Sequence, residues 1–485
     1  MLGPPMARAP LIAALLALVL AAPAHAGGPA MRIGAAEDLV EQATLPAAKA
    51  QVQLLRLAGL DTVRVTAIWS PGETAPAADE AAKLGNAVAA ATLAGVRTVV
   101  AVYHPSSATT PLTDEARADF AAFTVSVVRQ NPAVRDVIVG NEPNLNRFWL
   151  PQFAEDGTSA SPAAYLQLLS ATYDALKAVS PAITVWGGSV SPRGTDKPDG
   201  LRPSHSPTTF IRGLGLAYRA SGRTLPVMDG LAIHPYGDNS SQAPERSAHP
   251  RTTSVGLADY DKLVGLLAEA FDGTAQAGST LPLLYDEYGV ETVLPATKAP
   301  LYTGEEPATT KPVDEPTQAA YYRQAIAMAF CQPNVRGILL FHTVDEPNLN
   351  RWQSGTFYVD GTPKESLGDV RAAADESRRG VVARCPGLQL APRLRRVVWP
   401  KAGPRSRSVV LRLSCSLDCV GRVLVEQVPG GRRVRSVKVS QVAGGLRRTT
   451  IGPLPRGKYR LRLTLRAALN PGAPLARRSP PFAVR

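Results

Sequence analysis

Thr62-Val63-Arg64-Val65-Thr66-Ala67-Ile68 leads into a helix-like stretch over residues 79–94, and Thr98-Val99-Val100-Ala101-Val102-Tyr103 follows it. The two short runs are rich in β-branched residues and scarcely alternate between apolar and polar, the pattern of strands buried on both faces. Working outward, the same unit recurs. Strands are predicted over 31–36, 62–68, 98–103, 134–140, 183–187, 230–234, 283–286 and 337–341. Helices are predicted over 47–58, 79–94, 114–129, 162–179, 208–221, 258–271, 317–330 and near 365–377. Strand-then-helix units in series predict a parallel sheet, and eight of them close a barrel. The fold class is therefore α/β, a (β/α)8 TIM barrel over residues 27–387.

After Cys385-Pro386 the helical pattern ends. Residues 388–485 read as short strands over 408–414, 421–427, 434–439 and 459–465, punctuated by Pro429-Gly430-Gly431 and Gly444-Gly445. Alternating strands with turn signals predict a small all-β, sandwich-like domain. This tail holds 22 Lys and Arg against two acids, Asp418 and Glu426. Its formal +20 leaves −7 on the rest of a chain that totals +13. Such a module could hold an anionic cell-envelope polymer or acidic polysaccharide; solvated arginine chosen by genome composition is the alternative.

The chain has 485 residues, 45% hydrophobic and 19% charged, an ordinary globular balance and enough length for a barrel plus a smaller domain. Arg8, an apolar run over residues 11–22 and Ala24-His25-Ala26 have the parts of a secretory signal peptide over residues 1–26. That run is too short to span a bilayer, which takes about 20 apolar residues. The expected protein is secreted, extracellular or associated with the cell envelope, with no membrane span. In an oxidising compartment four cysteines allow three pairings. The simplest is Cys331 with Cys385 and Cys415 with Cys419, one bridge per domain. No histidine sits near the latter pair at zinc-ligand spacing, so no metal is expected there.

Barrel enzymes place their chemistry at the C-terminal ends of strands. Two acids follow apolar runs directly: Asp136-Val137-Ile138-Val139-Gly140 leads to Asn141-Glu142-Pro143-Asn144, and Leu283-Leu284-Tyr285-Asp286 leads to Glu287-Tyr288-Gly289. Cleaving a glycosidic bond takes two carboxyl groups across one bond, and strands four and seven face each other over a barrel mouth. These motifs resemble the clan A glycoside hydrolases, which include families 5 and 39. The resemblance implies Glu142 as acid/base and Glu287 as nucleophile, cleaving β-glycosidic bonds with retention. It implies Asn141 as a ligand of the sugar 2-hydroxyl, though an Asn there could also cap a helix. His234-Pro235-Tyr236 after strand six fits the same pattern, with Tyr236 reaching the nucleophile. Arg64 on strand two resembles the clan's arginine that pairs with the nucleophile. His104, at the end of strand three, is a further candidate to line the site.

Glu142-Pro-Asn-Leu-Asn-Arg147 recurs as Glu346-Pro-Asn-Leu-Asn-Arg351. The second Glu lies further beyond its strand, which predicts a rim or subsite role. Where the clan has a Trp after strand eight, this chain has Phe341-His342-Thr343. Trp352, Trp69 and Trp149 are candidate sugar-stacking platforms. No glycine-rich phosphate loop, nucleophilic-serine elbow or HExxH segment competes, so no cofactor is expected. Two other classes compete: a non-catalytic carbohydrate-binding barrel, and a basic adhesion or nucleic-acid-binding protein. The tail's aromatics, Trp399, Tyr459 and Phe482, are too few for nucleic-acid stacking. The expected partner is a carbohydrate, and no nucleic acid.

Overall fold

The computed structural model describes residues 27–401 and 407–485; the predicted signal peptide lies outside the described residues. Eight parallel strands close a barrel in sequence order: β1 (Arg32–Ala36), β2 (Thr62–Ile68), β3 (Arg97–Tyr103), β4 (Asp136–Val139), β5 (Thr184–Val190), β6 (Gly230–Ile233), β7 (Leu283–Tyr288) and β8 (Val335–Phe341). Each is followed by its helix: α1 (Leu45–Leu57), α2 (Ala78–Leu93), α3 (Asp114–Gln130), α4 (Ser161–Val179), α5 (Pro207–Ala220), α6 (Tyr260–Phe271), α7 (Glu315–Cys331) and α8 (Ser366–Arg379).

Local chemistry starts the helices where they start. Thr44, Thr113, Ser206 and Asp314 each accept a backbone N–H of the first turn, satisfying a donor with no intrahelical partner. Alternate strand residues split between two cores. Val99, Ala101, Ile138, Trp186, Ala232, Leu284 and Leu339 fill the barrel interior. Their neighbours, such as Val63, Val100, Val137 and Val185, pack outward against helix residues such as Leu84, Phe120 and Leu169.

Two irregularities shape the mouth. Between Gly188 and Val190 the β5–β6 register slips, and between Tyr285 and Tyr288 the β7–β8 register slips again. A bulge puts an extra residue on one strand and re-aims the side chains beside it. The first turns Ser189 inward; the second brings both Asp286 and Glu287 to the mouth.

Beyond α8 the chain forms two antiparallel sheets. One has the order β13 (Arg447–Ile451), β10 (Val409–Cys415), β9 (Leu394–Val398). The other runs β12 (Arg433–Gln441), β11 (Cys419–Gln427), β14 (Gly457–Ala467), β15 (Leu475–Arg478), with β16 (Phe482–Val484) also paired to β14. Leu411, Leu413, Val423, Val425, Leu461 and Leu463 form their shared core. The four predicted strands are present. β9, β13 and β15 are only four or five residues long and each carries two arginines; β13 and β15 are also largely exposed, so their apolar signal is too short to be predicted. This part docks on the barrel through Arg379, which donates to Asp418 at 2.9 Å, and Asn470, which bonds Cys385 and Ala383. The cysteines pair as Cys331–Cys385 and Cys415–Cys419, with Cα atoms 5.1 and 6.5 Å apart. Among the described residues no helix is long and apolar enough to cross a membrane.

Candidate active site

Gly140, at φ +87, ends β4 in a conformation suited to glycine, and a Cβ there would stand 3.1 Å from the Tyr165 ring. Two residues later Glu142 adopts φ +42, in the sparsely populated left-handed region, with its N–H donating to Ser189 O at 2.9 Å. Asn144, fully buried, holds the turn: it donates to the carbonyls of Ser191, Arg193 and His205 and accepts the N–H of Ser191. The Asn-Glu-Pro-Asn segment thus clamps the β4 loop to the β5 loop and leaves the Glu142 carboxyl at the mouth.

Five further predicted residues converge on it. Arg64, buried in β2, meets Glu287 Oε1 with Nη1 at 2.5 Å, and its Nη2 donates to Asn141 Oδ1 at 3.2 Å. The Tyr236 hydroxyl donates to Glu287 Oε2 at 3.0 Å. His234 Nδ1 stands 3.1 Å from Glu142 Oε1 and 3.4 Å from Glu287 Oε2. One ring nitrogen therefore touches both carboxylates.

Two partners not predicted from sequence hold that ring. His234 Nε2 lies 2.9 Å from Ser189 Oγ and 3.3 Å from Asp286 Oδ2, and Ser189 donates to Asp286 at 2.6 Å. Burial opposes charge on His234, yet the carboxylates of Glu287 and Asp286 and the bonds to Asp286 and Glu142 outweigh it, lifting its pKa to about 10. Asp286, also fully buried, moves the other way: against the cost of burial, His234 and Arg64 hold it below the usual carboxylate range. Arg64 is pushed up by Glu287 and Asp286 despite burial, and burial beside Glu287 keeps the Tyr236 hydroxyl protonated. The charges alternate, two cations among three acids.

The cleft has a volume of about 450 Å³; Glu142, Glu287, Asn141, Arg64 and Tyr236 line it, with Phe341, Trp352 and Phe148 as aromatic walls and Arg147, Arg351 and Asp38 beside them. Trp352 tilts over Tyr236 at 4.9 Å and meets Phe341 edge-on at 5.2 Å. Glu346 lines the same cleft. Its carboxylate accepts the N–H of Trp352 at 3.0 Å and lies 3.7 Å from His342. A cavity of nearly equal size, about 440 Å³, opens at the other end of the barrel under Arg32, Arg97 and Trp186. Size does not separate the two. The carboxylates of the second cavity, Asp136 and Asp229, are each taken by a cation of their own, Arg97 and Lys177, whereas at the C-terminal mouth Glu142 and Glu287 share one histidine nitrogen.

Three expectations need correction. Trp69 and Trp149 are 0% and 1% exposed and pack on Phe120 and Tyr165, so neither can stack on a sugar. His104 is turned into the wall: buried, its Nδ1 bonds the Ser106 carbonyl and its ring meets Trp149 edge-on. His234 lies beneath the two carboxylates and touches them rather than facing the open cleft. Among the described residues no group of three or more His, Cys, Asp and Glu is placed to hold a metal ion.

No protein-family model matches the sequence, and no curated protein does. Solved structures do. A family 39 glycoside hydrolase from the gut symbiont Bacteroides cellulosilyticus WH2 superposes with a TM-score of 0.51 at 16% identity, covering 85% of this chain and 80% of that one. The chain is similar to it in fold. A GH5_18 from Bifidobacterium longum subsp. infantis gives 0.49 at 17% identity over 74% and 82% of the two chains. The GH39 enzyme of Xanthomonas axonopodis pv. citri gives 0.46 at 14% over 88% and 93%. The likeness that counts is one of fold, to the Bacteroides family 39 structure; the chemistry is argued from the residues at the barrel mouth.

Proposed function

We propose that this chain is a secreted retaining glycoside hydrolase, with Glu287 as nucleophile and Glu142 as acid/base. The observation that carries the reading is His234 Nδ1 in reach of both carboxylates. Those two oxygens can be no farther apart than 3.1 and 3.4 Å laid end to end. Carboxyl groups about 5–5.5 Å apart suit double displacement, whereas inverting sites hold theirs about 6.5–9.5 Å apart to admit a water.

Glu287, held by Arg64 on Oε1 and by Tyr236 on Oε2, attacks the anomeric carbon. The bond to the leaving oxygen breaks as Glu142 delivers its proton to that oxygen. Water then enters; Glu142 takes its proton while the water oxygen displaces Glu287, restoring both groups. Asn141, fixed by Arg64, is placed to bond the sugar beside the nucleophile, and Trp352 offers a stacking face. On the same reading residues 1–26 are the export signal, 27–387 the catalytic domain and 388–485 an accessory module.

A panel of aryl β-glycosides, with the first-formed product anomer read by NMR, tests the mechanism. Retention is expected. Glu287→Ala should abolish turnover. Glu142→Ala should spare activated aryl glycosides far more than substrates with poor leaving groups, and Glu346→Ala should be mild. An inverted anomer would refute the double displacement. Sugar binding without turnover on any substrate would instead make the barrel a carbohydrate-binding protein.

A further inference from the structure

The outward face of the larger C-terminal sheet carries a field of cations that form no ion pair among the described residues. Register places Arg422 of β11 opposite Lys438 of β12, and Arg462 of β14 opposite Arg478 of β15. Arg460 and Arg466 flank Arg462 on the same face of β14. The alternate residues, Val423, Val425, Leu461, Leu463 and Leu465, point into the core, so this face looks out to solvent. Like charges directly opposite each other on a sheet are destabilising. Glu426, the one acid on this face, stands opposite both Arg460 and Arg433, and among the described residues it forms an ion pair with neither. Asp418, the other acid of residues 388–485, is taken by Arg379. The Arg460 Nε is buried with no hydrogen-bond partner.

Charged side chains on sheets are often explained as protection of edge strands. That account fails for β11 and β14, which are interior strands with neighbours on both sides. The smaller sheet also turns arginines outward, Arg396, Arg412 and Arg448, with Arg412 directly opposite Arg448, and so supplies a control for charge alone.

We propose that this face is a docking surface for an acidic polysaccharide, which it holds beside the barrel. The choice of polysaccharide among polyanions rests on the hydrolase reading; the surface itself does not. Nucleic acid fits poorly. Tyr459 and Phe482 are turned into the core, leaving no stacking platform on this face. Four strands about 4.8 Å apart span roughly 14 Å between outer axes, wider than the ~12 Å major groove. A cationic sheet face with Leu424 and Val420 among its arginines suits an extended, uronate-bearing chain lying across it.

The test uses the full chain on immobilised polygalacturonate, a neutral β-glucan and duplex DNA at low and molar salt. The parent should bind polygalacturonate best and release it as salt screens the contacts. Each cation near an anionic surface contributes about a fivefold factor. Arg422→Thr, Arg462→Thr and Arg466→Thr together should therefore weaken binding roughly 100-fold. The charge-matched set Arg396→Thr, Arg412→Thr and Arg448→Thr should change it no more than about twofold. Equal losses from the two sets would show net charge, not this face, and overturn the proposal. So would salt-independent retention, equal retention on the neutral glucan, or tighter binding to DNA. Retention is read without turnover: a chain that binds polygalacturonate and cleaves nothing keeps this proposal and sinks the hydrolase reading.

Discussion

Tyr236→Phe isolates one hydrogen bond at the reacting centre. The hydroxyl donates to Glu287 Oε2 at 3.0 Å, while Arg64 holds the other oxygen and His234 Nδ1 stands 3.4 Å from Oε2. Loss of the hydroxyl leaves Glu287 charged and paired but free to turn about its last torsion. A hydrogen bond to a charged group contributes about 1.5–3 kcal/mol, and 1.36 kcal/mol is tenfold in rate, so kcat should fall about 10- to 150-fold. The ring contacts survive in Phe, with Trp352 at 4.9 Å and Phe341 at 6.3 Å, so the loss of folding stability should not exceed the about 1.5–3 kcal/mol of the bond itself. The assay is kcat and KM on the aryl glycoside that the parent turns over fastest, beside a thermal melt. An unchanged kcat, or a rise in KM alone, would show that the hydroxyl serves sugar binding rather than the nucleophile. A large fall in the melting midpoint would show a structural role instead.

Two further outcomes concern the frame around the site. Lys364 and Asp345 form a fully buried ion pair at 2.8 Å under the loop that carries Glu346 and Trp352. Lys364→Met should cost about 3–5 kcal/mol by leaving Asp345 buried and unpaired, and adding Asp345→Asn should recover most of it in chemical denaturation. The second outcome is pH dependence. His234 is raised to about 10, and burial raises Glu41 and Glu291 to about 8. A folded-state pKa above the unfolded one stabilises fully below the unfolded value and is lost as pH climbs through the folded value. The thermal midpoint should therefore fall between pH 6 and 10; a midpoint that rises over that range contradicts the charge pattern drawn here.

Much of this molecule can be read from its residues in order. Doubly buried parallel strands leave continuous Val- and Ile-rich runs, so all eight barrel strands stand out, and the four strongest C-terminal strands do too. Glu142 and Glu287 stand out because each follows an apolar strand run beside a recognisable neighbour, and Arg64 because it is an arginine inside the apolar run of β2. Their convergence follows from barrel closure. What only tertiary structure decides is which way a side chain faces once a strand departs from regularity. Ser189 and Asp286 reach His234 because two bulges break the period-two alternation, and no local composition announces a bulge. Trp69, Trp149 and His104 lie near strand ends just as the site residues do, but helix packing and the Ser106 carbonyl draw them away from the cleft. The tail's charge is plain in its composition. Gathering six of its cations on one face is the work of antiparallel register, which sets residues far apart in sequence directly opposite one another.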